Sequence, residues 1–431
     1  PLAIGKFDGN FILASDATPI VKYTNKVIYL DDSSLIKIEK DSFKIFDFDL
    51  NIKNKKFQKV DVELQKVELG EFDSYMLKEI MEQPFSLSQT MLGRVKENEI
   101  TLGGINRYVD KLLEAKRIII IGCGTSWHAA LTAEYFLEKY LKIPVEVEYA
   151  SEFRYRNPII YESDIVFVVS QSGETADTLE ATKIAKEKGA TVLGIVNSVG
   201  SSISRETNEG CYLHAGPEIG VASTKAYTSQ LLVFFMIGIK AAYLKENISK
   251  LKYQKMIRQL TELPDKVKEI LSDITPIESI AKKIYKKDHC MFMGRGNNFP
   301  AALEGALKLK EISYIHAEGY PAAELKHGPI ALVDKNMPAI VICTKSDEYD
   351  KMLSNVMEIK ARKAIIIGIV DPKNLHMKGN FDYSIEVPNT SKDFSPLLNQ
   401  IPLQLIAYFC AIYRGCDVDK PRNLAKSVTV E

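Results

Sequence analysis

Three charged residues in NNFPAALEGALKLKEISYIHAEG, residues 297–319, are spaced for chemistry. Glu304, Lys308 and Glu311 stand at i, i+4 and i+7, so a helix carries them on one face. The helix follows the Gly-rich turn GRGNN, so its N-terminal half lies at a ligand edge, where buried carboxylates and lysines are paired or functional. On a surface helix the same spacing is a solvated ion-pair stripe. Here the rest of the helix is small and apolar (Ala301, Ala302, Leu303, Gly305, Ala306, Leu307), as in a buried helix, where unpaired charges are rare.

A second stretch, VVSQSGETADT at 168–178, places Ser170, Gln171, Ser172 and Thr175 in one turn after the apolar run DIVFV. Its glycine permits a tight turn, and ETADTLEATKIAKEKG continues as a helix ended by Gly189. Helix N-termini offer free N–H groups and a positive dipole end, so hydroxyls gathered there suit a phosphate monoester. The turn holds no Lys or Arg, so backbone and hydroxyls must carry the binding. The turn CGTS brings Thr125 and Ser126 to the same sheet edge. It is not a dinucleotide fingerprint, because position 127 is Trp where a third glycine is needed. GVASTKAYTSQ, residues 220–230, is a third hydroxyl turn: Ser223 and Thr224 are expected to cap an apolar helix, and the main chain of Val221 and Ala222 can line the same cleft.

Two further groups complete the chemistry. His327 precedes Gly-Pro in ELKHGPIAL, where an imidazole can move protons near neutral pH. The chain ends GCDVDKPRNLAKSVTVE, with Pro421 expected to stop the last helix. NLAKSVTV has one charge in eight residues, so it is expected to pack back on the body. Lys426 on such a segment is a candidate amine nucleophile, able to form an imine with a carbonyl if its pKa falls below the ordinary value of about 10.4.

An internal repeat positions these groups. RIIIIGCGTSWHAA returns as HCMFMGRGNNFPAA, with Gly122 and Gly124 matching Gly294 and Gly296 at an offset of 172. Gly194 and Gly368 match at an offset of 174. Each copy reads βαβαβ, which implies a parallel sheet with helices on both faces and ligands at the carboxyl ends of its strands. In the second copy the segment aligned with the serine turn is VICTKSDEYD, which lacks the hydroxyl set, so one phosphate site per repeat pair is expected. Residues 1–62 read as short strands, 63–80 as a linker, 81–248 and 249–416 as the two repeats, and 417–431 as the tail. LLVFFMIGI at 231–239 is too short to span a bilayer and reads as buried helix.

Lys+Arg and Asp+Glu are both 56, which argues against nucleic acid or an anionic membrane as main partner. Six scattered cysteines without a CxxC pair point to free thiols in a reducing compartment, not a disulfide scaffold or zinc site. A cytoplasmic location is expected.

CGTS, SQSGETADT, VASTKAYTSQ, LEGALKLKEISYIHAEGYPAAELKHGP and PRNLAKSVTVE, in this order, resemble the glutamine–fructose-6-phosphate aminotransferase family. The resemblance covers essentially the whole chain. It implies an α/β fold: two tandem SIS domains, each a doubly wound parallel five-stranded sheet, after a β-rich remnant of a glutaminase domain. It implies fructose 6-phosphate as substrate and glucosamine 6-phosphate as product, no cofactor or metal, and a homodimer. By resemblance, Ser126, Ser170, Gln171, Ser172 and Thr175 hold the phosphate, and Lys426 forms the imine. Glu311 shuttles a proton between C1 and C2, and Glu304 and Lys308 lie close to the open-chain sugar. His327 is linked to ring opening and comes from the neighbouring subunit. The family's glutaminase begins with a cysteine, whereas no cysteine precedes position 123 here. The chain is therefore expected to be a fragment that isomerises sugar phosphates, with glutamine a substrate only of a full-length enzyme. The alternatives are an SIS sugar-phosphate-binding regulator, which has no need of Glu311, Lys426 and His327, and an SIS deglycase, which has no use for residues 1–60.

Overall fold

The computed structural model describes residues 2–14, 18–21, 23–31, 34–59, 68–344, 346–372 and 379–430. Two five-stranded sheets, parallel throughout, dominate it. The first contains β1 (Arg117–Gly122), β2 (Val145–Tyr149), β3 (Asp164–Ser170), β4 (Thr191–Val196) and β5 (Glu209–Tyr212), in the order β2-β1-β3-β4-β5. The second contains β6 (His289–Gly294), β7 (His316–Pro321), β8 (Pro338–Cys343), β9 (Ile365–Val370) and β10 (Tyr383–Glu386), in the order β7-β6-β8-β9-β10. The sequence repeat is thus a duplicated sheet with one topology. The strands read as continuous apolar runs because both faces are covered. Ile118 and Ile120 enter one core cluster, while Ile119 and Ile121 enter another on the opposite face.

Helices α1 (Thr125–Leu141), α3 (Lys225–Leu244), α4 (Phe299–Ser313) and α5 (Ser395–Tyr413) pack between the two sheets in a single core cluster, while α2 (Ala176–Glu187) covers the outer face of the first sheet. Because the two repeats share this core, a side chain on α4 of the second can be fixed against α1 of the first. The apolar run at 231–239 lies within α3, a 20-residue helix. Both α3 and α5 are long and apolar enough to cross a membrane, yet 83% and 89% of their apolar windows are buried as core.

The structure changes two expectations about boundaries. The last helix ends at Tyr413, with Gly415 in the left-handed region at φ 69°, so Gly415 terminates it and Pro421 follows six residues later. The expected linker lies partly outside the described residues (63–67), and its end is the helix Tyr75–Met81. Met76 and Ile80 of that helix are fully buried in the shared core.

Upstream, Asn10–Ala14, Leu2–Phe7, Lys26–Leu30 and Gln58–Lys59 form a four-stranded antiparallel sheet in that order, and Ser34–Ile38, Phe43–Asp47 and Ile52–Lys53 form a second small sheet. The strand reading of this segment holds. Its core is thin, two small clusters centred on Ala3, Ile20 and Val27 and on Ile4, Ile28, Leu30 and Ile45.

Candidate active site

In each sheet the strand order reverses beside its first strand, which opens a crevice at the carboxyl ends of that strand and its neighbour. In the first sheet those ends are β1 and β3, and they carry both hydroxyl turns. Gly173 adopts φ 67°, and a Cβ there would lie 2.0 Å from Ser201 Oγ, so only glycine makes this turn without displacing its neighbour. Ser170 Oγ accepts from Gly173 N at 3.0 Å and lies 3.1 Å from Thr175 Oγ1. Ser172 Oγ accepts from Glu174 N at 3.1 Å. Gln171 and Thr175 are half-buried, and Thr175 is the N-cap residue of α2 without a side-chain cap bond, so beyond Ala176, whose N–H the tail engages, the first-turn N–H groups of Asp177 and Thr178 are not capped by it. Ser126, buried in the first turn of α1, accepts from Gln230 Nε2 on α3 at 2.9 Å.

The charged face of α4 points into this crevice. Glu304 and Lys308 are completely buried, and Glu311 is 21% exposed. Lys308 Nζ lies 2.6 Å from Glu311 Oε2 and 3.4 Å from Glu304 Oε1. It also donates to Thr125 Oγ1 at 3.0 Å, and Thr125 in turn donates to Glu304 Oε1 at 3.0 Å. His128 Nδ1 lies 2.7 Å from Glu304 Oε2. Burial pulls the Lys308 ammonium down, but Glu304 and Glu311 outweigh that and hold it above the ordinary lysine range. A lysine so held is a fixed positive charge, not a nucleophile. The stripe is a buried network joining the repeats, and the surface ion-pair alternative is excluded.

The tail completes the site. Lys426 Nζ donates to Glu218 Oε2 at 2.6 Å. Ser427 Oγ lies 2.9 Å from Ser172 Oγ, and the Val428 carbonyl accepts from Ala176 N, the first residue of α2, at 3.0 Å. Asp419 anchors the root: its carboxylate accepts from Tyr75 N and Met76 N, both at 2.8 Å, and its carbonyl accepts from Val221 N at 3.0 Å. The expectation that the tail packs back is met at the serine turn itself.

Sequence reasoning missed Glu218 and His128 and misassigned a cap. Ser223 and Thr224 were expected to cap α3, yet neither hydroxyl has a hydrogen-bond partner among the described residues. The buried carboxylate of Glu218 caps it instead, with Oε1 accepting from Thr224 N at 2.9 Å and Ala226 N at 3.0 Å. Burial pushes the Glu218 carboxyl up, but Lys426 and these amides outweigh it and hold it below the ordinary carboxylate range. The available signal was an isolated acid in the apolar, glycine-flanked stretch GPEIGVA. Val221 and Ala222 lie beside this cap, Val221 half-buried and Ala222 buried. His327 is not gathered in: it is exposed at the end of the 3-10 turn Ala322–His327 and has no hydrogen bond or ion pair among the described residues. The indole Nε1 of Trp127 is buried with no hydrogen-bond partner among the described residues, while its ring stacks on Tyr149, centroids 4.0 Å apart.

Both sheets and both inter-sheet helix pairs define a protein of two tandem SIS domains, and the SIS domain family model matches residues 111–240 and 283–414. Two curated relatives, the glutamine–fructose-6-phosphate aminotransferases (isomerizing) of Chlorobaculum tepidum and Bacteroides thetaiotaomicron, are 53% and 50% identical over this whole chain, which spans 70% and 71% of their lengths. The chain belongs to the glutamine–fructose-6-phosphate aminotransferase (isomerizing) family. Among solved structures, the C-terminal domain of glucosamine-fructose-6-phosphate aminotransferase from Francisella tularensis matches with a TM-score of 0.78 at 42% identity, covering 81% of this chain and 99% of that one. A glucosamine-6-phosphate deaminase from Thermotoga maritima matches with a TM-score of 0.64 at 25% identity, covering 82% of this chain and 99% of that one.

Proposed function

We propose that this chain binds fructose 6-phosphate in the crevice between its SIS domains and is the sugar-converting part of an enzyme that makes glucosamine 6-phosphate. The observation that carries this reading is the meeting of three elements at one sheet edge. These are the Ser170–Thr175 turn, the buried Lys308–Glu311 pair 2.6 Å apart, and the tail amine of Lys426, itself 2.6 Å from Glu218.

Hydroxyls of Ser126, Ser170, Ser172 and Thr175, with Gln171 and the N–H groups of Asp177 and Thr178 that follow Ala176 in α2, would hold the phosphate dianion. The tail contacts of Ser427 and Val428 at the same turn imply that the tail and the phosphate are seated together. Lys426 must lose a proton to attack, and Glu218 Oε2 is placed to accept it. The amine adds to the C2 carbonyl, and water leaves to give the iminium. Ammonia then adds at C2 and displaces Lys426. Glu311 takes a proton from C1 and returns one to C2, which leaves an aldehyde at C1 and an amine at C2. The sum is ketose phosphate plus ammonia giving amino-aldose phosphate plus water. Lys308, held cationic, would stabilise the enolate-like charge during that transfer. In the absence of ammonia the same acid–base pair supports ketose–aldose isomerisation. Val221 and Ala222 would line the sugar with their main chain, and His327 would serve a neighbouring copy of the chain in a homodimer.

Borohydride trapping with fructose 6-phosphate tests this, followed by peptide mapping. A reduced sugar-phosphate adduct on Lys426 is expected, and none on Lys308. An adduct on another lysine, or no adduct while the sugar phosphate still raises the melting temperature, would refute the imine assignment.

A further inference from the structure

A buried acid outside the network just described bears on the tail lysine. Glu79 lies on the helix Tyr75–Met81, upstream of the first SIS domain, and is 2% exposed. One carboxyl oxygen accepts from Ile219 N and, at 3.3 Å, from Gly220 N, the two residues that follow Glu218. The other oxygen is buried and has no hydrogen-bond partner among the described residues. Gly220 leaves it little room, since a Cβ there would lie 3.0 Å from that oxygen. The same helix is pinned at its N-terminus by Asp419, at the root of the tail. Glu79 is therefore built between the two ends of the Glu218–Lys426 pair.

We propose that Glu79 is a positioning residue for Lys426: it fixes the loop that carries Glu218, and its own charge state sets how tightly the carboxyl pair holds the lysine as an ammonium. The inference rests on the imine reading above.

The charged groups that act on Glu79 are Glu218, Lys426 and Lys225. Lys225 is itself engaged by Glu82 at 2.8 Å and is 3% exposed. Burial first, then the charge of Glu218, push the Glu79 carboxyl up to about 8. At neutral pH the pair of acids thus shares one negative charge opposite Lys426. With only one carboxylate charged, less negative charge holds the ammonium in place, and the amine can hand its proton to Glu218, leaving both acids neutral. Above that range Glu79 ionises, a second negative charge faces the lysine, and the ammonium form is favoured. Imine formation should then fall at alkaline pH, where a solvated lysine would become a better nucleophile.

The test is the pH dependence of Lys426 acylation by a trace of labelled acetic anhydride, read by peptide mass mapping on the wild-type chain, Glu79→Gln and Glu79→Asp. The glutamine keeps an acceptor for Ile219 N and Gly220 N but cannot ionise. In Glu79→Gln the Lys426 profile should move to lower pH by about one unit, or about tenfold more free amine near pH 9. Glu79→Asp should keep the alkaline suppression, which a purely structural role would not predict. Superimposable Lys426 profiles for wild type and Glu79→Gln would overturn the proposal. Borohydride trapping on the same samples separates the two readings. An adduct that declines above about pH 8 in wild type but not in Glu79→Gln supports both. No adduct in any variant sinks the imine reading, while the acylation profiles still decide the role of Glu79.

Discussion

Replacing Lys308 by Met tests the buried network most directly. The methionine fills nearly the same space, so packing changes little and the charge is lost. Lys308 is completely buried, with Glu304 Oε1 at 3.4 Å and Glu311 Oε2 at 2.6 Å. Removing one partner of a buried ion pair costs about 3–5 kcal/mol, because the other partner stays buried and uncompensated. Glu304 keeps Thr125 and His128 as neighbours, whereas Glu311 is 21% exposed and can recruit water. The loss therefore falls mainly on Glu304, and about 3–4 kcal/mol is expected near pH 8. The sign with pH is fixed. The folded-state pKa of Lys308 is raised, so its contribution is fully present below the unfolded lysine value of about 10.4 and is lost only above it. Wild-type stability thus gains no slope from Lys308 between pH 5 and pH 9. In Lys308→Met, acid can protonate the stranded carboxyl, so the deficit should shrink as pH falls toward 5. Urea unfolding followed by circular dichroism at pH 5, 7 and 8 measures this. Adding Glu304→Gln should restore more than half of the loss. A single variant within about 1 kcal/mol of wild type at pH 8, or a deficit unchanged at pH 5, would refute the view that the face is a buried, mutually neutralised network.

Two other predictions concern the turn and the tail. Gly173→Ala should cost about 2 kcal/mol or more, because φ is 67° and the new Cβ would stand 2.0 Å from Ser201 Oγ; it should also weaken the melting-temperature rise given by fructose 6-phosphate. Asp419→Ala removes the carboxylate that accepts from Tyr75 N and Met76 N at 2.8 Å, a cap-like loss of about 1–2 kcal/mol, and limited tryptic proteolysis should then cleave the chain after Arg422 faster than in wild type.

How much of this was legible in the sequence divides by physical cause. Local signals read well. The serine turn, the glycines flanking each strand and the i, i+4, i+7 face of α4 are each set by near neighbours and helix or strand geometry. The repeat supplied the topology, since two copies of one pattern constrain each other. The small-residue composition of α4 correctly foretold the burial of Glu304 and Lys308. What stayed hidden depends on distant pairing. Glu218 meets a lysine 208 residues later, and His128 meets a carboxylate 176 residues later, so no periodicity marks either. The cap of α3 was misread for the same reason: Ser223 and Thr224 have the right chemistry and position, but a carboxylate five to six residues upstream reaches the same amides and is the stronger acceptor. The linker was misread because its charge hid a seven-residue helix, too short for a periodic pattern, that packs Met76, Leu77, Ile80 and Met81 against the core.

The duplicated fold poses a last question: why one repeat pair should hold one working crevice. The offset of 172 maps Glu304, Lys308 and Glu311 of α4 onto Thr132, Phe136 and Lys139 of α1. Those three residues do line the equivalent cleft at the carboxyl ends of the second sheet, a cavity of about 200 Å³ shared with Gly296, Asn297, Ser346, Asp347 and Glu348. The geometry is therefore duplicated, but the chemistry is not. Phe136 removes the central cation. Lys139 is taken up by Asp393 at 2.5 Å, which also accepts from Tyr140 Oη at 2.7 Å, and Lys392 is paired with Asp347. Carboxylates stand where the first repeat offers serine hydroxyls, and a phosphate dianion would meet them at close range. On the proposed reading the first crevice works because its partners are divided between the copies: hydroxyls from one repeat, the acid–base face from the other, and the lysine from a tail that belongs to neither. Losing the hydroxyl turn from one copy disables only that copy's crevice. Losing the face of α4 would disable the crevice that remains, which is why Lys308, and not any residue of the second cleft, is the informative place to cut.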